Sequence, residues 1–139
     1  VYDGGEFART EKAEGILDWP VGLRNLRVCW EGPTTGRNCG RCEKCMRTKL
    51  NFMAVGAVLP ESLAGRPTDA QILRLRAANH AQLVLLEEIV LIAEQRQITE
   101  SWLRMLKWAI AKNRFLNTFS IFGRIRRVLG SFKRRLVAR

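Results

Sequence analysis

The sequence predicts a mainly α-helical protein, built as a cysteine knuckle with one short strand followed by a helical lobe. Three observations carry that reading. Apolar residues recur at threes and fours through residues 43–55 and again from residue 70 onward, which is the helical period. All four cysteines fall between Cys29 and Cys45. One stretch, from Leu26 to Trp30, alternates apolar and polar residues as a strand does. With 47% apolar and 27% charged residues, 139 residues suffice for one domain with a real core or for a lobe of something larger, and the composition is not that of a disordered chain. The expected division is a knuckle segment with flanking helices over 1–55, a connection over 56–69, and a helical lobe with a basic amphipathic tail over 70–139.

Each element has a local cause. Residues 1–10 read as loop, and Thr10 suits the N-cap of a short helix from Glu11 to Asp18, with Glu11 and Glu14 at its positive end. Trp19-Pro20 ends that helix, because the residue before a proline is pushed out of the α region. The strand from Leu26 delivers Cys29 to the knuckle, and Gly32, Pro33 and Gly36 turn the chain back. Glu43 to Val55 has the composition of a helix, with Met46, Leu50, Met53 and Ala54 on one side. Gly56, Pro60, Gly65 and Pro67 mark the connection. Thr68 or Asp69 caps a helix over 70–93 that breaks near Asn79-His80. Its apolar part, Leu83 to Ala93, is interrupted by Glu87 and Glu88 and is far shorter than the ~20 residues of a membrane span, so it reads as a buried helix. Thr99 caps a further helix with Trp102, Leu106, Ala109 and Ile110 on one face. The four tryptophans sit mostly at apolar helical positions and are expected in the core.

The cysteines carry the chemistry. Nine residues separate Cys29 from Cys39, two separate Cys39 from Cys42, and two separate Cys42 from Cys45. Four thiolates at that spacing can close a tetrahedron around one ion, and Zn²⁺ is the usual occupant of an all-sulfur shell with no open position. Gly40 stands where a knuckle turn needs a backbone without a Cβ. Arg37, Arg41, Lys44 and Arg47 surround the ligands and would offset the charge of four thiolates. An iron–sulfur cluster is the main rival, since ferredoxins also carry a C-x2-C-x2-C run, although the proline that often follows is absent here. Disulfides fit less well, because Cys39, Cys42 and Cys45 are too close to pair comfortably among themselves.

The net charge of +11 is unevenly placed. Residues 1–100 hold 13 basic and 13 acidic side chains, whereas 101–139 hold 11 basic and none acidic. In that tail Phe115, Phe119, Phe122, Ile125, Leu129, Phe132 and Leu136 follow a three-four spacing, flanked by Arg124, Arg126, Arg127, Lys133, Arg134 and Arg135. An apolar stripe beside a dense cationic flank suits an anionic membrane interface; packing on the preceding helices is the alternative. RNA ranks lower as a partner, since phosphate binding alone does not need the stripe.

Three stretches together resemble a known family: Arg9-Thr10-Glu11-Lys12-Ala13-Glu14-Gly15-Ile16, Val28-Cys29-Trp30, and Asn38-Cys39-Gly40-Arg41-Cys42-Glu43-Lys44-Cys45-Met46-Arg47-Thr48. They are similar to the C-terminal part of the 7-cyano-7-deazaguanine synthase family, within the PP-loop nucleotide α-hydrolase superfamily. The resemblance covers about residues 6–55. It implies a structural zinc at Cys29, Cys39, Cys42 and Cys45, and a larger α/β PP-loop protein whose upstream catalytic domain adenylates a carboxylate with ATP and releases pyrophosphate. The place of Lys12 in the motif implies contact with a nucleotide phosphate; a solvated surface lysine is the alternative. The family's Ser-Gly-Gly-x-Asp-Ser loop is absent, so ATP is expected only in a full-length protein and this chain alone is expected to be inactive. A start at Val1 is read as that of a fragment or a processed product. Arg27-Val28 replaces the aromatic-Ser pair that usually precedes the first cysteine, and nothing from about residue 56 onward has a counterpart in the family. A distinct branch follows, and kinship does not transfer its substrate.

No catalytic residue is assigned, because thiols that hold metal leave no nucleophile and base to pair. Arg47 is expected to pair with Glu43 one turn back, and His80, the only histidine, to be a helix-surface or core residue. The expected partners are an upstream PP-loop catalytic domain and an anionic membrane surface, with RNA below them and an oligomer left open. The expected location is the cytoplasm, peripheral to the membrane if the tail binds lipid. The competing function is a zinc-knuckle binding module whose basic tail grips RNA or an anionic membrane.

Overall fold

The computed structural model describes residues 6–29, 31, 35–63 and 65–118. Among them every regular element is helical: α1 (Arg9–Gly15), α2 (Pro20–Asn25), α3 (Glu43–Ala54), a 3₁₀ turn (Glu61–Leu63), α4 (Asp69–Leu73), α5 (His80–Gln95) and α6 (101–118). The expected tail from Phe119 onward lies outside the described residues, as does Trp30.

α3 is the hub, and nine of its 12 residues are buried. On one side Met46, Leu50, Met53 and Ala54 pack with Leu83, Leu86, Ile89 and Ala93 of α5 and with Trp102, Leu103, Leu106 and Ile110 of α6. On the other side Phe52 packs with Ala13 of α1 and with Leu63, edged by Leu23, Leu26 and Val28. Residues before and after the 56–69 connection therefore share one core. Apolar side chains at threes and fours on α3, α5 and α6 meet there, which is what their spacing demands.

The strand expected from Leu26 does not form over its described part, 26–29. Its backbone finds a side chain instead of a neighbouring strand. Asn38 Oδ1 accepts from the N–H groups of Val28 and Cys29 at 2.9 and 3.0 Å, and Asn38 Nδ2 donates to the carbonyl of Leu26 at 2.7 Å. One amide thus satisfies three groups that a ladder would otherwise serve.

Several helix limits also move. α1 begins at Arg9, and its N-cap is Ala8, whose N–H donates to Glu11 Oε2 at 2.6 Å. Thr10 is fully buried inside the helix, its hydroxyl 3.1 Å from Glu88 Oε1 and 3.2 Å from Asn51 Oδ1. It ties α1 to α3 and α5, which local capping rules cannot foresee. Pro20 opens α2, where a missing N–H costs nothing. The break expected near Asn79-His80 is there and opens earlier, after Leu73, so the segment 70–93 forms two helices: Thr68, one of the two expected caps, caps α4 and Asn79 caps α5, each accepting from a backbone N–H three residues on. α6 starts at 101, two residues beyond the expected cap Thr99.

The tryptophans divide. Trp102 is buried, but Trp19 keeps 60% and Trp108 66% of its surface exposed, so a uniform core placement is wrong. Trp108 sits on the face of α6 opposite Trp102, Leu106, Ala109 and Ile110, all of which are buried as their spacing predicts.

Between α4 and α5 the chain runs without regular structure against α6, and Asn113 holds it there. Asn113 is buried; its Oδ1 accepts from Ala77 N–H at 3.0 Å, and its Nδ2 donates to the carbonyls of Leu75 and Ala109 at 2.9 and 2.8 Å. Asn113→Ala leaves the Ala77 N–H and the Leu75 carbonyl unpaired in the core, at a cost on the order of 2–4 kcal/mol. A urea melt is expected to show a lower midpoint with an unchanged slope. A midpoint equal to that of the unaltered protein would refute this role for the amide.

Candidate metal centre and the adjoining cleft

Two local structures bring the four cysteines together. Asn38 pins the segment that carries Cys29, and it also donates to the Ser62 carbonyl at 2.8 Å, fixing both to the 3₁₀ turn. The knuckle then turns at Gly40, whose φ of 70° lies in the left-handed region that a Cβ disfavours. Cys42 is the N-cap of α3 and Cys45 its third residue, so helix start and knuckle fix each other.

The sulfurs all lie within 4.8 Å of one another. Cys39 Sγ and Cys45 Sγ are 3.9 Å apart, Cys42 Sγ and Cys29 Sγ 3.7 Å, and no disulfide joins any of them. An ion held tetrahedrally by thiolates at about 2.3 Å spreads its sulfurs about 3.8 Å apart; the two close pairs match that spacing, and all four sulfurs are near enough to share one metal ion. Cys29 and Cys45 are buried, while Cys39 and Cys42 are partly exposed. Protein sulfur fills all four positions, and a metal here would be structural.

Electrostatics separates the thiols. Burial pushes the Cys39 thiol up, but hydrogen bonds from the backbone of Arg41 and Cys42 outweigh it and the net shift is downward. The Cys42 N–H reaches Cys39 Sγ at 3.3 Å. Burial pushes Cys42 upward, with Cys45 opposing the shift and Cys39 and Cys29 adding to it; burial pushes Cys45 up more strongly, with Cys42 and Cys39 adding and a backbone hydrogen bond from Gly40 only partly offsetting it.

A cation missed at the level of sequence stands behind the sulfurs. Lys49 is buried, and its Nζ donates to the Gly40 carbonyl at 2.9 Å. Burial pulls its pKa down, against the opposing field of Cys45 and Cys39. Its position one helical turn beyond Cys45 was the available signal. Arg47 pairs with Glu43, as expected of that spacing, and Arg37 and Arg41 are exposed.

Beside the knuckle α1, α3 and residues 26–28 enclose a cleft of about 440 Å³. Arg9, Lys12, Arg27, Lys44 and Arg47 line it, over an apolar wall of Ala13, Ile16, Leu26, Val28 and Phe52, with Thr48 and Asn51. No carboxylate is among the lining residues. Lys12 is exposed at its rim. The cations of the cleft come from three separate stretches of chain, so its charge is invisible in any one of them.

Protons compete with the metal for Cys42 and Cys45. Their raised thiol pKa values mean that metal affinity keeps increasing with pH through and beyond the ordinary thiol range of about 8–9. Chelator competition at stepped pH measures this, and a flat profile would count against thiolate ligation. For the metal-free fold the sign reverses: neutral Cys42 and Cys45 favour folding below the ordinary thiol pKa, and that contribution is lost as pH climbs through the raised values. Lys49→Met removes the buried cation while keeping its bulk, and it is expected to weaken metal binding by about tenfold. Unchanged affinity in the same competition assay would show that Lys49 serves only Gly40. Set against protein-family models, curated proteins and solved structures, the chain matches none.

Proposed function

We propose that this chain is the zinc-bearing C-terminal module of a PP-loop ATP-dependent synthase or ligase-like enzyme, which adenylates a carboxylate and releases pyrophosphate. The catalytic loop would come from an upstream domain. One observation carries the reading. Segments of all three motif stretches, far apart in sequence, line one cationic cleft beside the four-sulfur cluster. Five positive side chains line the cleft, one of them (Arg47) paired with Glu43, and no carboxylate is among the lining residues, which favours an anionic ligand; an apolar wall suits the flat body of a nucleotide or a heteroaromatic acid.

In this reading each residue has a limited task. Cys29, Cys39, Cys42 and Cys45 hold Zn²⁺, the ion that best suits four thiolates in a tetrahedron. The ion shapes the knuckle that carries Lys44 and Arg47 into the cleft, and it takes no part in the chemistry. Lys12 offers a point charge to a phosphate at the cleft rim. Arg47, held by Glu43, keeps its guanidinium in place on the wall.

Elemental analysis of the purified protein is expected to find about one Zn²⁺ per chain, and iron with sulfide would overturn the metal assignment. Separately, the 139 residues alone are expected to release no pyrophosphate from ATP. The same chain joined to the polypeptide encoded immediately upstream should do so when given a carboxylic acid. Turnover by the 139 residues alone, or an upstream region without a Ser-Gly-Gly-x-Asp-Ser loop, would overturn the enzymatic reading.

A further inference from the structure

α6 buries one face in the core and leaves the other exposed. Trp102, Leu103, Leu106, Ala109, Ile110 and Asn113 are buried. Opposite them Arg104, Trp108, Ala111 and Phe115 follow one another at spacings of four, three and four, so they form a single stripe. The stripe is exposed, with 66% of Trp108 and 63% of Phe115 accessible. Arg104, Lys107, Trp108 and Ala111 line a shallow depression of about 310 Å³ on it. Large aromatic side chains are usually buried, so a tryptophan and a phenylalanine set in line on an outer face point to a surface that receives them.

Charge says which surface. No carboxylate occurs in residues 101–139, against 11 basic residues. Acidic groups reach α6 from α5, where Glu94 pairs with Lys107 at 2.6 Å and Glu87 with Arg114 at 2.8 Å, and from α4, where Asp69 accepts from the Ser101 hydroxyl at 3.2 Å at the start of the helix. Both pairs are solvent-exposed and therefore weak and salt-sensitive. Arg104 and Trp108, on the stripe itself, have no carboxylate among the residues that line their depression. In sequence the three-four spacing of apolar residues continues from Phe115 through Phe119, Phe122, Ile125 and Leu129. Residues 119–139 lie outside the described residues, and only their sequence enters here.

We propose that the exposed stripe of α6, centred on Trp108 and Phe115, seats the protein on an anionic phospholipid surface. The aromatic rings enter the boundary between headgroups and acyl chains, while Arg104 and Lys107 meet the lipid phosphates. No helix among the described residues is long and apolar enough to cross a membrane, so the contact is interfacial. A second copy of the chain is disfavoured, because it would set cations against cations. Single-stranded RNA would use the aromatic faces for stacking but leaves Ala111 without a role. The proposal stands apart from the enzymatic reading and does not require it.

The test is co-sedimentation of the whole 139-residue chain with vesicles of phosphatidylcholine alone or mixed with phosphatidylglycerol, at low and high salt. The chain is expected to pellet with the anionic vesicles and to be released by salt. A double variant, Trp108→Ser with Phe115→Ser, changes exposed side chains only; with its circular dichroism and melting unchanged, it is expected to bind anionic vesicles about tenfold more weakly or worse. Failure of the unaltered chain to pellet at low salt, or equal pelleting of the variant, overturns the proposal. So does binding of a single-stranded RNA oligonucleotide that depends on Trp108 and Phe115 while anionic vesicles are ignored.

Discussion

The burial of α3 on nearly every side is the constraint from which the rest follows. A helix with nine of 12 residues buried cannot be an amphipathic cover; it must be enclosed. Its leucine, phenylalanine and methionine side chains are enclosed by two apolar groups, one from α5 and α6 and one from α1, the 3₁₀ turn and residues 23–28. Arg47, Lys49 and Asn51 are buried with them and each needs a partner. Glu43 serves Arg47, the Gly40 carbonyl serves Lys49, and Thr10 serves Asn51. Two of those partners lie on the knuckle or at the helix start, so the metal centre and the core are organised by the same helix.

Side-chain amides do the work that a sheet would do elsewhere. Among the described residues, the irregular stretches 26–29 and 75–79 lie beside no strand. Asn38 answers the first and Asn113 the second, each with both ends of its amide engaged. An amide offers two donors and an acceptor on a short stem, enough to close a local gap but not to extend a ladder. The segment bearing Cys29 is thereby positioned by one residue that directly precedes Cys39. Metal geometry and backbone satisfaction are coupled at that point.

Charge is sorted by face. Around the cleft cations gather without a carboxylate among the lining residues, whereas between α5 and α6, and between α1 and the end of α5, exposed ion pairs neutralise them. Exposed pairs contribute little to stability, roughly 0–1 kcal/mol each, so they shape the surface potential more than the fold. The cleft beside the metal knuckle and the depression on the outer stripe of α6 are both lined by cations, with no carboxylate among the lining residues of either. The proposed anionic ligand and the proposed lipid surface therefore address different sides of the molecule.

What could be read from the sequence is what depends on near neighbours. The cysteine spacing places four sulfurs within reach of one ion, because a knuckle and one helical turn set Cys39, Cys42 and Cys45 by local geometry. The extent of α3 was legible to within one residue, its core-facing residues were right, and so was the Arg47–Glu43 pair, since a helix fixes relations over three or four positions. Tertiary structure alone decided the rest. Whether 26–29 became a strand depended on Asn38, and whether Thr10 capped a helix depended on Glu88, 78 residues away. Lys49 became the buried cation of the metal centre because enclosure of α3 removed water from it. Trp102 and Trp108 have the same chemistry six residues apart; helical phase set them on opposite faces, and the packing of α6 on α3 and α5 determined which face was covered. Sequence shows that a side chain is apolar or charged, but only the arrival of a distant segment decides whether water still reaches it.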